Sequence, residues 1–481
     1  MSADLKSLKP ALLWKHFDAI RKIPHCSRQE GPLADYVQSF VKGLGLRVKR
    51  DAVGNVVVVK PASPGREKAK GVILQGHLDM VCEKNADVKH DFSKDPLELV
   101  LDGEWLKASG TTLGADNGVG LAAALAVLED DSLVHGPIEC LFTMDEETGL
   151  NGAQGLDPSL LSGRFLLNLD SEEEGAFFIG CAGGGDTELI LSVGRKSASG
   201  KAVTVELKGL RGGHSGIDIN TGRGNAIQLL ARILVEIDVP FDLVSLDGGS
   251  KHNAIPREAT ATVLVAPENI KAFEEQLQSR FEKVRFEFKT VEKDMRMDII
   301  PAAKTENPLD DSAKRTFLST LVALPHGVLA MSLEIPELVE TSNNVAIVKC
   351  GEKEIRIHTS SRSSVMSALE ATRGKVEAVG ALAKAEVKQE PGYPAWTPNL
   401  DSPLLVTMKR VYQGMTGKDP EVKAIHAGLE CGIIGEKFPG MDMISLGPDL
   451  RNPHSPDERV HTGSVERFWN LIVKTLETLS A

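Results

Sequence analysis

Excess positive charge is missing from this chain of 481 residues: 55 lysines and arginines stand against 67 aspartates and glutamates, a formal net charge of -12. A protein whose task is to grip phosphate backbones carries the opposite balance. The basic stretch Lys60 to Lys70 has no interleaved aromatics and reads as a solvated loop, so no nucleic-acid partner is expected. Long hydrophobic runs are lacking too. No segment approaches the roughly 18 to 20 apolar residues needed to cross a bilayer. The longest, Gly118 to Leu128, is short and alanine-rich, as in a packed helix. Met1 to Pro10 has no apolar core of a secretory signal, which leaves no membrane role to expect.

Cysteine is sparse and scattered. Cys26, Cys82, Cys140, Cys181, Cys350 and Cys431 contain no C-x-x-C pair, which excludes a zinc knuckle and argues against a disulfide framework in a chain this long. Four of them lie among apolar or small residues and read as buried thiols, with the cytoplasm as the natural compartment. Nucleotide signatures are absent as well: no P-loop lysine and no G-x-G-x-x-G after a strand accompany the glycine-rich turn around Arg223. Ser215, in Gly213-His214-Ser215-Gly216, lacks the G-x-S-x-G spacing of a nucleophile elbow.

What is present is an ordinary globular composition, 42% hydrophobic and 25% charged, in a chain too long for one core. Ala11 to Lys22 and Pro32 to Leu44 carry helical spacing. Asn55 to Val59, Val72 to Gln75, Ile138 to Thr143 and Phe165 to Leu169 are short strand-like runs, with a helix from Gly118 to Leu128 among them. This alternation predicts an α/β fold with a mixed, largely parallel central sheet flanked by helices. After Gly183-Gly184-Gly185 the texture becomes α+β, beginning with the alternating strand Val203 to Leu207. It returns to α/β beyond the proline-rich linker Gln389 to Pro398. We therefore expect a catalytic domain formed by 1–183 and 399–481, interrupted by an inserted α+β domain at 184–398.

Chemistry-bearing residues recur at the ends of the predicted strands and starts of helices. His77-Leu78-Asp79 follows the strand Val72 to Gln75, and extended backbone puts His77 and Asp79 on one face. Asp116, in Gly114-Ala115-Asp116-Asn117, precedes a helix; alone it could be a mere cap. Asp145-Glu146-Glu147 follows Ile138 to Thr143, and adjacent carboxylates repel unless water or cations neutralise them. Asp170 ends another strand, and His461 stands just before the last helix. Taken singly, each has a bland explanation. As a series they place imidazole and carboxylate ligands where open α/β sheets bind ligands. That donor set suits zinc, cobalt or manganese in an open catalytic site.

These motifs, in this order, resemble those of the di-zinc metallopeptidases that include carnosinases, aminoacylases and bacterial dipeptidases. Asp170-Ser171-Glu172-Glu173-Glu174-Gly175, Arg211-Gly212-Gly213-His214-Ser215-Gly216 and His426-Ala427-Gly428-Leu429-Glu430 resemble the cytosolic aminoacyl-histidine dipeptidase branch. The resemblance implies two Zn2+ per subunit, replaceable by Co2+ or Mn2+. Asp116 would bridge them, with His77 and Asp170 on one ion and Glu147 and His461 on the other. It further implies Asp79 as orienter of His77, Glu146 as general base and His214 as oxyanion donor. Asn253, Arg362 and Gly428 become the candidates for substrate binding, dipeptides the substrates, and a homodimer the assembly in which the insert serves as lid and dimerisation domain. Asp at position 170, where deacylases of the family tend to carry Glu, favours an unblocked dipeptide over an N-acyl amino acid. The remaining alternative, a non-catalytic scaffold, predicts a lost ligand or base, and none of the named residues is lost.

Overall fold

The computed structural model describes residues 5–302 and 306–481. The chain forms two compact units. One comprises Met1–Gly180, Trp396–Ala424 and Leu429–Ala481; the other comprises Cys181–Ala395 and Ile425–Gly428.

The first unit is built on an eight-stranded sheet. Its strands are β1 (Arg47–Arg50), β2 (Val56–Lys60), β3 (Val72–His77), β4 (Ile138–Thr143), β5 (Phe165–Asn168), β6 (Ala176–Cys181), β7 (Glu421–Ile425) and β8 (Asp442–Ser445), in the spatial order β1-β2-β4-β3-β5-β8-β6-β7. The four central strands β4, β3, β5 and β8 run parallel. β1, β2 and β6 pair antiparallel around them. The expected mixed, largely parallel sheet is thus present. Its middle strands are buried along their whole length, which is why they read as continuous apolar runs rather than alternating ones.

Helices α1 (Ala11–Ile20), α2 (Gly31–Gly43), α3 (Ala115–Glu129), α4 (Pro403–Thr416), α5 (Glu430–Lys437) and α6 (Thr462–Leu479) pack on this sheet. α3 is apolar on every side and buried from Asn117 to Leu128. A helix of that composition is stable only in a core, and there it brings its N-terminus to the carboxyl ends of the parallel strands. The register aligns those ends: His77 lies opposite Thr143, and Asn168 lies opposite both Gln75 and Ser445.

The second unit is an antiparallel nine-stranded sheet with the helices Ala226–Val235, Ile270–Phe288, Asp311–Ala323 and Met366–Leu382. The glycine cluster Gly183 to Gly185, at the expected change of domain, lies two residues past the start of this unit at Cys181 and opens the strand Gly183–Ser192. A Cβ at Gly183 would meet the Tyr393 carbonyl at 2.7 Å, and one at Gly185 would meet the Arg373 guanidinium at 2.8 Å. The glycines therefore mark a close approach. The segment expected as a linker is tied down at this spot, since Gly184 and Tyr393 exchange backbone hydrogen bonds of 3.1 and 2.9 Å.

The cysteines depart from expectation. Cys140, Cys181 and Cys431 are buried thiols and Cys350 is a half-buried one, but Cys26 and Cys82 are joined in a disulfide. No local pattern advertises a pair 56 residues apart. Among the described residues, no helix is long and apolar enough to cross a membrane.

Candidate metal centre and substrate-binding residues

The carboxyl ends of β3, β4 and β5 carry His77, the Glu146–Glu147 pair and Asp170, and the start of α3 carries Asp116. His77 fixes the geometry. Its Nδ1–H donates to the Asp79 carbonyl at 2.9 Å, with Asp79 Oδ1 3.4 Å away, so the lone pair of neutral His77 is on Nε2. That atom faces Asp116 Oδ1 at 3.0 Å and Asp170 Oδ1 at 3.2 Å. A lone pair directed at two carboxylates is repulsive unless a proton or a metal cation lies between them.

Asp79 is the organising carboxylate. Its Oδ1 accepts the Glu146 amide at 2.9 Å, and its Oδ2 accepts the Glu147 amide at 3.2 Å and the Ser27 hydroxyl at 2.8 Å. One side chain therefore sets both the ring of His77 and the backbone of the acidic pair. Burial acts to raise its carboxyl, but His77 and these donors outweigh it and hold the group down at about 2.

His77, Asp116 and Glu147 offer ligand atoms all within 4.8 Å of one another, the only such group among the described residues. The residue that joins them from the far end of the chain is His454, which the sequence reading did not single out. Its Nε2 is 3.2 Å from Asp116 Oδ2 and 3.1 Å from Glu147 Oε1. Asp116 thus turns one oxygen to His77 and the other to His454, as a carboxylate shared between two cations does.

His461 lies apart from this group. Its Nδ1 accepts the Ser464 amide at 3.1 Å as the cap of α6, its ring meets Trp105 edge-on, and its Nε2 is 3.5 Å from Glu104. The expected pairing of His461 with Glu147 is therefore replaced by His454 with Glu147. His454 sits in an irregular loop, with positive φ, where no strand or helix end draws attention to it.

Two more missed residues support the centre. The Glu458 carboxylate accepts the amides of Leu113, Gly114, Ala115 and Asp116 at 2.7 to 3.2 Å, satisfying donors that α3 leaves open at its start. Burial and Asp116 push its carboxyl up to about 7. Glu430, beneath the strand ends, accepts from Gln75 at 2.6 Å and Thr143 at 2.8 Å. In the sequence both look like ordinary acids.

No ion accompanies the chain, so the fit of a metal is judged from the residues. Glu147 Oε1 and Asp170 Oδ1 are buried, each facing a histidine Nε2, His454 at 3.1 Å and His77 at 3.2 Å. Burial raises Asp170 to about 6, against the pull of His77. Burial would depress His77, yet Asp170 and Asp116 drive it well above its usual range. Hydrogen bonds that His454 donates to Asp116 and Glu147 carry it up to about 11. The buried carboxylate oxygens face imidazole nitrogens whose lone pairs need a cation between them, and the hard oxygen and imidazole donors suit divalent cations. The metal fits. Glu146 stands beside it, its carboxyl pushed well up by burial, with Asp170 adding to the effect.

The remaining candidates lie in the second unit. His214 Nδ1 accepts the amides of Gly216 and Ile217, both at 3.2 Å, which puts the proton of neutral His214 on Nε2, and burial lowers its affinity for a second proton. It is a neutral donor. Arg362 is buried, donates to Tyr393 Oη at 2.8 Å, and has an Nε without a partner. A Cβ at Gly428 would come within 2.8 Å of the Tyr393 ring. Asn253 is exposed, and its carbonyl accepts the Ser215 amide at 2.8 Å beside His214. His426, packed in the same unit, bonds Ser342 Oγ at 2.7 Å.

A strand-end cluster of this kind on a parallel sheet is that of a metallopeptidase, and the family comparison agrees. Residues 73–478 match the model of peptidase family M20/M25/M40, and the chain belongs to that family. Among curated proteins it is 42% identical to the cytosol non-specific dipeptidase of Escherichia coli (strain K12), over the full length of both chains. The crystal structure of aminoacylhistidine dipeptidase from Vibrio alginolyticus superposes with a TM-score of 0.91 at 42% identity, covering 99% of this chain and 98% of that one. Aminopeptidase PepT from Bacillus cereus, at 14% identity and a TM-score of 0.58 over 98% of this chain and all of its own, shares the fold.

Proposed function

We propose that this protein is a cytoplasmic metallo-dipeptidase that hydrolyses unblocked dipeptides, Xaa-His among them, with two divalent cations, zinc by preference. The observation that carries the reading is Asp116, whose two oxygens face His77 and His454 separately. His77 and Asp170 would hold one ion and His454 and Glu147 the other, with Asp116 placed to serve both. Here His454 takes the place expected of His461.

Cations bound there supply Lewis acidity toward a peptide carbonyl and make water a better acid near neutral pH. The chain's own residues do the rest. Asp79 locks the tautomer of His77 and aims Glu146 through its amide. The raised carboxyl of Glu146 suits a base that takes a proton from water and returns it to the leaving amine. His214, a neutral donor on Nε2, is the candidate partner for charge developing on the carbonyl oxygen. Arg362 is the candidate for the substrate's terminal carboxylate, which its planar fork matches. Asn253 and Gly428 are assigned to substrate contact by the family resemblance, which also carries the homodimer.

The deciding test is hydrolysis of β-Ala-His, other Xaa-His and Xaa-Xaa dipeptides and an acetyl amino acid, by chelator-stripped protein before and after zinc is restored. Zinc-dependent cleavage of the dipeptides alone is expected. Cleavage of the acetyl amino acid alone makes the protein a deacylase, and cleavage of none removes the catalytic reading.

A further inference from the structure

Cys26 and Cys82 take no part in the metal centre, yet Cys26 stands one residue from Ser27, which supports that centre. The segment His25 to Ser27 runs beside Met80: Met80 N donates to the His25 carbonyl at 3.0 Å, Ser27 N donates to the Met80 carbonyl at 3.3 Å, and Cys26 bridges Met80 in parallel fashion. The disulfide closes this contact covalently. Its purpose is legible in the next residue. Ser27 Oγ donates to Asp79 Oδ2, the oxygen that also accepts the Glu147 amide.

Cys26 and Cys82 are both half-buried residues, neither of them sealed in a core. Of the thiols, Cys140, Cys181 and Cys431 are buried, and burial raises Cys140 far up and Cys350 to about 12. A thiol that resists ionisation is a poor redox centre, which leaves the bonded pair as the reactive one.

We infer that Cys26–Cys82 is a redox-modification site that governs how firmly Ser27 holds Asp79, so that reduction slows the peptidase without emptying its metal sites. The chemistry is thiol–disulfide exchange with a dithiol. A thiolate attacks one sulfur, a mixed disulfide forms, and the second thiol of the reagent displaces the remaining cysteine. The dithiol becomes a disulfide, and Cys26 and Cys82 each gain a proton, with two electrons transferred. Without the cross-link the His25 to Ser27 segment regains conformational freedom, and the hydrogen bond to Asp79 is made only part of the time. Asp79 is a positioning residue for His77 and Glu146 here, so the inference rests on the function proposed above.

The test uses the zinc-loaded full-length protein, reduced with a water-soluble phosphine, which becomes its oxide as water supplies the oxygen and which spares the metal from dithiol chelation. Thiol titration after denaturation should rise from four to six. Dipeptide kcat should fall about threefold to tenfold, below the loss seen when a supporting partner is deleted outright, with KM and bound zinc unchanged. Cys26→Ser/Cys82→Ser should show the reduced-state kcat and ignore the reductant. Ser27→Ala should be slow in both states and equally indifferent. Six titratable thiols in protein oxidised with oxidised glutathione, an unchanged kcat on full reduction, or a redox response that survives Ser27→Ala would each overturn the inference. Absence of dipeptide cleavage in every state would instead indict the proposed function, so the two failures are distinguishable.

Discussion

His454 and His426 are the same side chain under opposite demands. His454, in the first unit, is gripped by Asp116 and Glu147 and holds its proton up to about 11. His426, in the second, is emptied of it down to about 3, by burial and by the charge of Arg362. The second surroundings already hold a cation, the Arg362 guanidinium; the first are acidic. Sign of charge, rather than residue type, separates the two: the first suits the metal ions proposed above, the second the anionic end of the proposed substrate.

The sharpest way to break this contrast is at Glu146. Glu146→Gln should lower kcat by about 10²- to 10⁴-fold, the usual worth of a general base, while metal content by mass spectrometry stays whole. Near-normal turnover in a loaded variant would remove the base assignment.

His454→Ala and His461→Ala form the next test. Loss of a ligand at His454 should cut bound zinc by about half and abolish most activity. Loss at His461 should leave zinc content intact and cost about 1 kcal/mol in stability through the cap of α6. The reverse pattern would restore His461 to the metal.

Arg362→Lys keeps the charge and loses the fork. It should raise KM for dipeptides by about tenfold to a hundredfold, the worth of a charge-assisted hydrogen bond, and leave dipeptide amides unaffected. Equal effects on both would take the terminal carboxylate away from Arg362.

The smallest effect is on stability. His426 is neutral in the folded protein, and its pKa lies below the value of about 6.5 for the unfolded chain. The unfolded chain therefore binds the proton first as pH falls. The contribution is complete above about pH 6.5 and is lost progressively toward pH 3, amounting to about 2 kcal/mol by pH 5. Urea midpoints measured across that window should fall, and His426→Gln should flatten the slope; an identical slope in the variant would assign the titration elsewhere.

Residues governed by local rules were readable. The apolar runs that became β3, β4 and β5 lie within a residue or two of their predicted bounds, and their carboxyl ends carry His77, Glu146, Glu147 and Asp170 as expected. Residues placed by distant contacts were not. His454 sits in an irregular proline-flanked loop, whereas His461 stands at a helix start, where a periodicity argument looks first. Glu458 shows its role only when four amides from a segment some 340 positions earlier are brought to it. The Cys26–Cys82 pair is invisible for the same reason. Gly183 to Gly185 carried two meanings at once: they lie just past the start of the second unit at Cys181, and their lack of side chains also serves close packing in the strand that opens there.

The loop from Asn452 to Glu458 bears both His454 and the carboxylate that clasps the amides around Asp116. Imidazole and clasp therefore move as one: a shift of this single loop would draw His454 away from Glu147 and release the amides of Leu113 to Asp116 in the same step.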